Sequence, residues 1–306
     1  MTVPDIYIPQ PGEETIPGAN VVLLGPSGTG KTYSIGTAVD AGYEVFFLGL
    51  EPGVEALLTY WTSRNLPIPQ NLHWHCIRAQ ENSFADMADA AKRINTMSLE
   101  ILSKAPDTNR GKFTQMESIY TALHDFKCQR TGESFGSPAQ WGTNRILVLD
   151  GLTNLSRAAM ACVVGGKSVR SIADWGIAAD LVEKTLRKLC DDCYCHFVLL
   201  AHTEREMDPV LGGSKLMVAT LGRALPPKIP AMFSDVVFTV REEAKWYWDT
   251  INSQVDMKTR NLPMQAKLAP DFRAIFRQWS KNNLAAFPPK PVSDAESPLS
   301  AGATPS

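Results

Sequence analysis

Residues 20–37 read Asn-Val-Val-Leu-Leu-Gly-Pro-Ser-Gly-Thr-Gly-Lys-Thr-Tyr-Ser-Ile-Gly-Thr, and the rest of the chain is organised around them. It matches the pattern G-x-x-x-x-G-K-[ST], with a short apolar strand before it and a run that can be helical after it. Glycines let the backbone turn tightly, so that its N–H groups face a phosphate, and the following helix points its positive end at the same anion. This P-loop pattern therefore predicts a nucleoside triphosphate site on Gly25, Pro26, Ser27, Gly28, Thr29, Gly30, Lys31 and Thr32.

Two side chains of this loop have predicted roles. We expect Lys31 to reach the β- and γ-phosphates of ATP, and the Thr32 hydroxyl to hold Mg²⁺. The alternative is a glycine-rich turn that binds nothing.

Composition limits the class of protein. The chain has 306 residues, of which 44% are hydrophobic and 20% are charged, and its net charge is −2. These values are typical of a soluble globular protein with one large domain or two smaller ones, and any contact with nucleic acid requires a local basic patch. Six cysteines do not suggest a disulfide framework, the first residues are not signal-like, and no apolar run has transmembrane length. We expect a cytoplasmic protein with no membrane association.

Apolar runs of strand length alternate with helical segments along the chain. This alternation predicts an α/β fold with a mostly parallel central sheet flanked by helices. The predicted strands are 20–24, 44–50, 71–78, 145–150, 196–201 and 234–240, and 245–250 and 254–259 are predicted as a small antiparallel edge. The predicted helices are 31–41, 54–63, 83–102, 115–127, 172–189 and 270–282, with a loop or helix over 151–170 and an irregular stretch over 203–230.

This pattern predicts an arm, a domain with an insertion, and a tail. Residues 1–18 are expected to form an N-terminal arm, and 19–285 a single ATPase domain. Residues 79–144 are expected to be a helical insertion on that domain. The tail 286–306, rich in Pro, Ser and Ala, is expected to be disordered.

Polar residues end three of the predicted strands, where ligands bind in parallel sheets. Asp150 follows four apolar residues and is typical of a Walker B carboxylate that binds Mg²⁺ directly or through water; the alternative is an Asp that starts a turn. Glu51 is expected to polarise the attacking water, unless it only caps the next helix. His202 is expected to sense the γ-phosphate, unless it is simply satisfied by its neighbours.

This order of segments resembles the RecA-type ATPase core. More narrowly, it is similar to the phage-encoded RecA-like nucleotide-binding proteins, which include single-strand annealing ATPases. The resemblance covers residues 18–262 and rests on 25–32, 149–153, 174–176, 200–203 and 222–230 before 233–235.

The resemblance implies a DNA-stimulated ATPase that uses ATP and Mg²⁺ in phage-type recombination, replication or repair. It implies a homo-oligomer, either a ring or a filament, in the cytoplasm of the host cell. It implies that Lys258 and Arg260 reach the γ-phosphate of a neighbouring subunit, where the alternative is a solvated basic edge. It also implies contacts with single-stranded DNA through cations after Asp150 and His202, namely Lys167, Arg170, Arg205, Lys215, Arg223 and Lys228.

Two other classes of function stay open. The chain lacks the clearly DNA-binding terminal domain of the full recombinases, so annealing or a helper role fits better than strand exchange. One alternative is a protein-directed motor or assembly ATPase, which would hydrolyse ATP without stimulation by DNA. The other is a nucleotide-gated binding module with little turnover, for which Glu51→Gln would change nothing.

Two further patterns have ordinary structural interpretations. Cys190, Cys193, Cys195 and His196 have metal-like spacing, but strand alternation would turn His196 away from the last two cysteines. We expect buried cysteines there. Residues 246–248 read Trp-Tyr-Trp and could stack on bases, but we expect core and cross-strand packing.

Overall fold

The computed structural model describes residues 17–79, 83–98, 100–101, 113–167, 169–207 and 214–284. The predicted tail over 286–306 lies outside the described residues, as does the predicted arm apart from residues 17 and 18. None of the helices within the described ranges is both long enough and apolar enough to cross a membrane.

Strands and helices alternate through most of these ranges. The strands β1 to β9 are Asn20–Leu24, Glu44–Gly49, Leu72–Cys76, Arg145–Asp150, His196–Ala201, Thr203–Met207, Ser214–Val218, Asp235–Glu242 and Lys245–Asp249. The helices α1 to α9 are Lys31–Ser34, Gly36–Asp40, Val54–Thr62, Phe84–Thr96, Gln115–His124, Leu152–Val164, Ile172–Asp191, Ile229–Met232 and Phe272–Leu284.

Within the described residues, the central sheet has seven strands in the order β3-β2-β4-β5-β1-β8-β9. All neighbouring pairs are parallel except β8 and β9, which are antiparallel at one edge. The strands β6 and β7 form a separate antiparallel hairpin. The predicted α/β class, with a mostly parallel sheet and a small antiparallel edge, is confirmed.

The strand order brings the predicted polar residues together at the carboxyl ends of the parallel strands. β5 lies between β1 and β4, and the register places Leu24 opposite Ala201 and Asp150 opposite Leu200. Gly49 lies opposite Asp150 on the other side. The P-loop, Glu51, Asp150 and His202 therefore follow or end neighbouring parallel strands at their carboxyl ends.

Apolar side chains cover both faces of the sheet. On one face, α5, α6 and α7 pack over β2, β4 and β5, and Met116 and Phe126 from the predicted insertion are fully buried there. On the other face, α1, α2, α3 and α9 pack over the sheet, and Trp248 and Phe272 are buried against each other. Helices on both faces explain why the parallel strands read as continuous apolar runs.

Two of the predicted elements are wrong. Residues 203–230 are not irregular throughout, because Thr203–Met207 pairs with Ser214–Val218 as a hairpin. The β6 sequence, Thr-Glu-Arg-Glu-Met, carries no apolar alternation that could reveal a strand. Residues 254–259 are not an edge strand, because residues 265–268 supply the backbone partners of Trp248 and Thr250 instead.

His196 is a buried, uncharged anchor at the start of β5. Its Nδ1 accepts a hydrogen bond from the Ala19 backbone N at 2.8 Å, and its ring packs against Tyr43, Phe276 and Trp279. Its Nε2 has no hydrogen-bond partner among the described residues. Burial lowers the pKa of His196 to about 3.

We expect His196 to make folding less stable in acid. An unfolded His has a pKa of about 6.5, so the unfolded chain gains a proton below that pH while the folded chain does not. The free energy of unfolding should therefore fall by about 2 kcal/mol between pH 7 and pH 5 on account of this group. Urea unfolding across that range measures the effect. His196→Asn should be less stable at pH 7 but have a flatter pH dependence, whereas exposed His124→Asn should keep the wild-type slope.

Candidate nucleotide site

The P-loop adopts a conformation that only a glycine fits at its last turn. Gly30 has φ +81°, in the left-handed region, and it precedes the first residue of α1. A Cβ at Gly30 would lie 2.8 Å from ring atoms of Trp246. The backbone therefore turns beneath the indole with no room for a side chain.

Lys31 lies across the loop that contains it. Its Nζ donates hydrogen bonds of 2.8 Å to the carbonyl oxygens of Gly25 and Pro26. Burial lowers the pKa of Lys31 to about 8, and the carboxylates of Asp150 and Glu51 act in the opposite direction. The side chain is thus a positive charge at neutral pH, held where the loop can receive a phosphate.

Thr32 and Asp150 meet across the sheet edge. The Thr32 hydroxyl donates to Asp150 Oδ2 at 3.1 Å, although 118 positions separate the two residues. Burial raises the pKa of Asp150 to about 6, with the nearby Glu51 carboxylate adding to the rise and the Thr32 hydrogen bond opposing it. A hydroxyl beside a carboxylate is the oxygen donor set that Mg²⁺ prefers, so these residues fit the ion that the P-loop pattern implies.

Glu51 and His202 form a second polar pair in the same place. His202 Nε2 donates to Glu51 Oε2 at 3.1 Å, and this hydrogen bond is the main reason that the pKa of Glu51 lies below its usual range. Gly151 has φ +113°, and a Cβ there would lie 2.7 Å from Glu51 Cγ. The glycine after Asp150 therefore leaves the space that the Glu51 side chain occupies.

These groups line one cavity of about 400 Å³. Its walls comprise P-loop residues 27–33, the turn 51–53 after β2, two residues of α3, and the ends of β4 and β5. The cavity lining is Ser27, Gly28, Thr29, Gly30, Lys31, Thr32, Tyr33, Glu51, Pro52, Gly53, Ala56, Thr59, Asp150, His202 and Trp246. The structure thus brings together Lys31, Thr32, Glu51, Asp150 and His202.

Trp246 is a site residue that the sequence interpretation missed. Its Nε1 donates to Gly28 O at 3.1 Å, and its ring lies 4.9 Å from that of Tyr33. Strand alternation puts Trp246 and Trp248 on the same face of β9. Trp248 is buried in the core as expected, whereas Trp246 lies beyond the edge of the core, where the P-loop passes. Only this packing could reveal the contact, because 215 positions separate Trp246 from Lys31.

Lys258 and Arg260 lie far from the P-loop of their own chain. They line a different cavity with Asn20 and Ser234, at the amino ends of β1 and β8. The P-loop follows the carboxyl end of β1, so it lies at the opposite ends of the strands. The action of these two residues on a neighbouring subunit stays a prediction.

Most of the cations predicted to contact DNA are paired with carboxylates. The ion pairs have N–O distances of 2.7 to 3.3 Å, and they are Lys167–Asp174, Lys215–Asp256, Arg223–Glu206 and Lys228–Glu183. Arg170 and Arg205 have no such ion pair among the described residues. Within the described residues, the segments after Asp150 and after His202 therefore present less free positive charge than their sequences indicate.

The buried cysteines have the environment that was expected. Cys190, Cys193 and Cys195 are all buried. Burial raises the pKa of Cys190 to about 12 and that of Cys193 to about 11. These thiols pack as small apolar groups in the core cluster on this face of the sheet.

The fold and the site together define a class of protein. A P-loop after β1, a carboxylate at the end of β4 and the intervening strand β5 are the features of a P-loop ATPase with a RecA-like core. A family model described as an AAA domain matches residues 18–266, and the chain belongs to that family. No curated protein matches the sequence.

The solved structures that the chain is similar to include two secretion ATPases and a recombinase. One is the assembled ATPase EscN of the type III secretion system of enteropathogenic E. coli, at 16% identity and TM-score 0.33 over 73% of this chain and 43% of EscN. A prototypical type III secretion ATPase from pathogenic bacteria has 14% identity and TM-score 0.35 over 73% and 52%. The RadB recombinase has 10% identity and TM-score 0.31 over 81% and 94%. The chain spans about half the length of the two secretion ATPases.

We expect Trp246 to report nucleotide binding. Because its indole is hydrogen-bonded to the P-loop, ATP should change the intrinsic fluorescence of the wild type, and Trp246→Phe should lose most of that change. Because this hydrogen bond holds Gly28 in the P-loop, its loss should also weaken ATP binding, as measured by calorimetry. Trp175→Phe, which removes an exposed indole outside the cavity, is the matched control. An unchanged signal in Trp246→Phe would contradict the assignment.

Proposed function

We propose that this protein hydrolyses ATP in response to single-stranded DNA and acts in recombination, replication or repair of the phage type. The observation that carries the proposal is the convergence of Lys31, Thr32, Asp150, Glu51 and His202 in one cavity, at the start of the β6–β7 hairpin. We also propose that it works as a ring or filament of identical subunits.

Each of these side chains has a role that its surroundings support. Lys31 would hold the β- and γ-phosphates. Thr32 and Asp150 would hold Mg²⁺, which when bound would neutralise charge on the phosphates. Glu51 would orient the attacking water and accept its proton, since the hydrogen bond from His202 keeps this carboxylate ionised at neutral pH.

His202 would connect the nucleotide to the loop region that follows it. Its side chain contacts Glu51, its carbonyl oxygen accepts a hydrogen bond from Ala219 N at 2.8 Å, and β6 begins at the next residue. Thr153, in the first turn of α6, donates to the carbonyl oxygen of Ala219 at 3.1 Å. A change at the γ-phosphate would therefore reach both ends of the hairpin and the helix after Asp150.

A subunit interface would complete the site. Lys258 and Arg260 lie near the amino ends of the strands, and the P-loop lies at the carboxyl ends. A head-to-tail arrangement of subunits would therefore bring these two residues to a neighbour's nucleotide. A cation supplied in this way stabilises charge in the transition state and makes hydrolysis depend on assembly.

We expect single-stranded DNA to increase the rate of ATP hydrolysis by the purified full-length protein. Lys31→Ala should abolish nucleotide binding and hydrolysis. Glu51→Gln should keep nucleotide binding but lower the hydrolysis rate at least about a hundredfold, because the general base is lost. Phosphate release and calorimetric titration measure the two properties separately, and exposed Glu117→Gln is the control with the same change in charge.

Two other outcomes would point to other functions. Hydrolysis that requires Lys31 but does not respond to DNA would favour a protein-directed motor or assembly ATPase, an alternative that the ion pairs of Lys215 and Arg223 with carboxylates support. Slow hydrolysis that is the same in Glu51→Gln as in the wild type would favour a nucleotide-gated binding module.

A further inference from the structure

A second cavity lies on the other side of the turn that carries Glu51. Its volume is about 560 Å³, and Pro52 lines both this cavity and the nucleotide cavity. Three arginines from separate segments line it: Arg78 after β3, Arg157 on α6, and Arg170 before α7. We call this space the arginine cavity.

The positive charge of the arginine cavity is not neutralised within the described part of the chain. No carboxylate there forms an ion pair with Arg78, Arg157 or Arg170, and all three side chains are exposed. Within the described part of the chain, the only hydrogen bond that these guanidinium groups make is a long one of 3.4 Å, from Arg157 to the side-chain oxygen of Asn154. This contrasts with Lys215 in the hairpin and with Arg223 after it, which both form ion pairs with carboxylates.

The walls of the cavity are suited to a single strand of nucleic acid. Pro52, Ala161 and Leu221 provide accessible apolar surface, and Gln115 and Asn154 provide amide groups. A strand needs cations for its phosphates and apolar or guanidinium surfaces for the faces of its bases, and both are present here. The cavity is larger than a free phosphate ion requires. Its lining also contains apolar groups that such an ion does not need.

The arginine cavity is directly connected to the proposed general base. Asn154 Nδ2 donates to the carbonyl oxygen of Leu50, the residue before Glu51, at 2.9 Å. The positive charge of Arg157 also contributes to lowering the pKa of Glu51. A ligand that moves Arg157 or Asn154 would therefore change the position and the electrostatic surroundings of Glu51.

We infer that the arginine cavity binds the phosphate backbone of single-stranded DNA and that Asn154 and Arg157 transmit its occupancy to Glu51. This inference rests on the proposed DNA-stimulated ATPase function. It moves the principal contact with DNA from the cations predicted after Asp150 and His202 to Arg78, Arg157 and Arg170. Of these three, only Arg170 belongs to the set predicted from sequence.

The binding test compares two double variants with the same loss of charge. Arg78→Gln/Arg170→Gln should weaken binding of fluorescent oligothymidylate, measured by anisotropy with Mg²⁺ and a non-hydrolysable ATP analogue, by at least about tenfold. Each phosphate contact contributes about 0.7 to the slope of log Kd against log salt concentration, so the slope should fall by about 1.4. Arg187→Gln/Arg277→Gln, on the exposed surfaces of α7 and α9, should bind as the wild type does.

The coupling test uses Asn154→Ala as a variant of a positioning residue. At saturating single-stranded DNA, it should lower the kcat of ATP hydrolysis several-fold without changing the KM for ATP. Loss of binding in place of loss of kcat would overturn the proposed transmission. Arg157→Gln should show both defects, since Arg157 is placed in the cavity and beside Glu51.

Failure of this inference can be told apart from failure of the proposed function. A wild type that neither binds nor responds to DNA overturns both. A wild type that responds to DNA, with a cavity double variant that binds equally well and keeps the wild-type salt slope, overturns only the cavity assignment. Displacement of the oligonucleotide by inorganic phosphate or by poly-glutamate, at equal charge concentration, would also overturn it. If the double variant does not fold, as judged by circular dichroism, the single variants replace it and should each lower the slope by about 0.7.

Discussion

The position of β5 between β1 and β4 is the constraint on which the site depends. Parallel strands end at the same edge of a sheet, so this order puts the P-loop, Asp150 and His202 within reach of one another. The hydrogen bond between Thr32 and Asp150 spans β5 and joins the loop to the carboxylate strand. Helices on both faces exclude water from these strands, and Asp150 is therefore desolvated at the one point where a cation is needed.

Burial and nearby opposite charge act in opposite directions on the pKa values of the charged groups at these strand ends. Burial lowers the pKa of Lys31 and raises that of Asp150, while each of these groups stabilises the charged form of the other. Glu51 escapes much of this effect because His202 donates a hydrogen bond to it. Two carboxylates in one cavity thus have different tendencies to hold a proton: burial favours the protonated form of Asp150, and the hydrogen bond from His202 favours the ionised form of Glu51.

Some residues that line the nucleotide cavity also connect it to other regions of the protein. His202 leads directly into the β6–β7 hairpin, and the turn with Glu51 forms part of the wall of the arginine cavity. Trp246 covers the P-loop from the antiparallel edge of the sheet. The nucleotide cavity is therefore bordered by three regions of the protein, which include His202, Glu51 and Trp246 in its lining.

Local patterns were enough to predict most of the strands, the P-loop and the polar residues at the strand ends, because these features depend on apolar runs, on glycine spacing and on the position of Asp150, Glu51 and His202. They could not reveal the β6–β7 hairpin, because β6 lacks apolar alternation, or the absence of a strand over 254–259, where more distant residues take the hydrogen bonds. The contact of Trp246 with the P-loop, the ion pairs of four cations predicted to contact DNA, and the shared cavity of Arg78, Arg157 and Arg170 became visible only in the folded structure. Side-chain proximity and charge pairing across long sequence separations depend on the packing of whole elements, which no local pattern records.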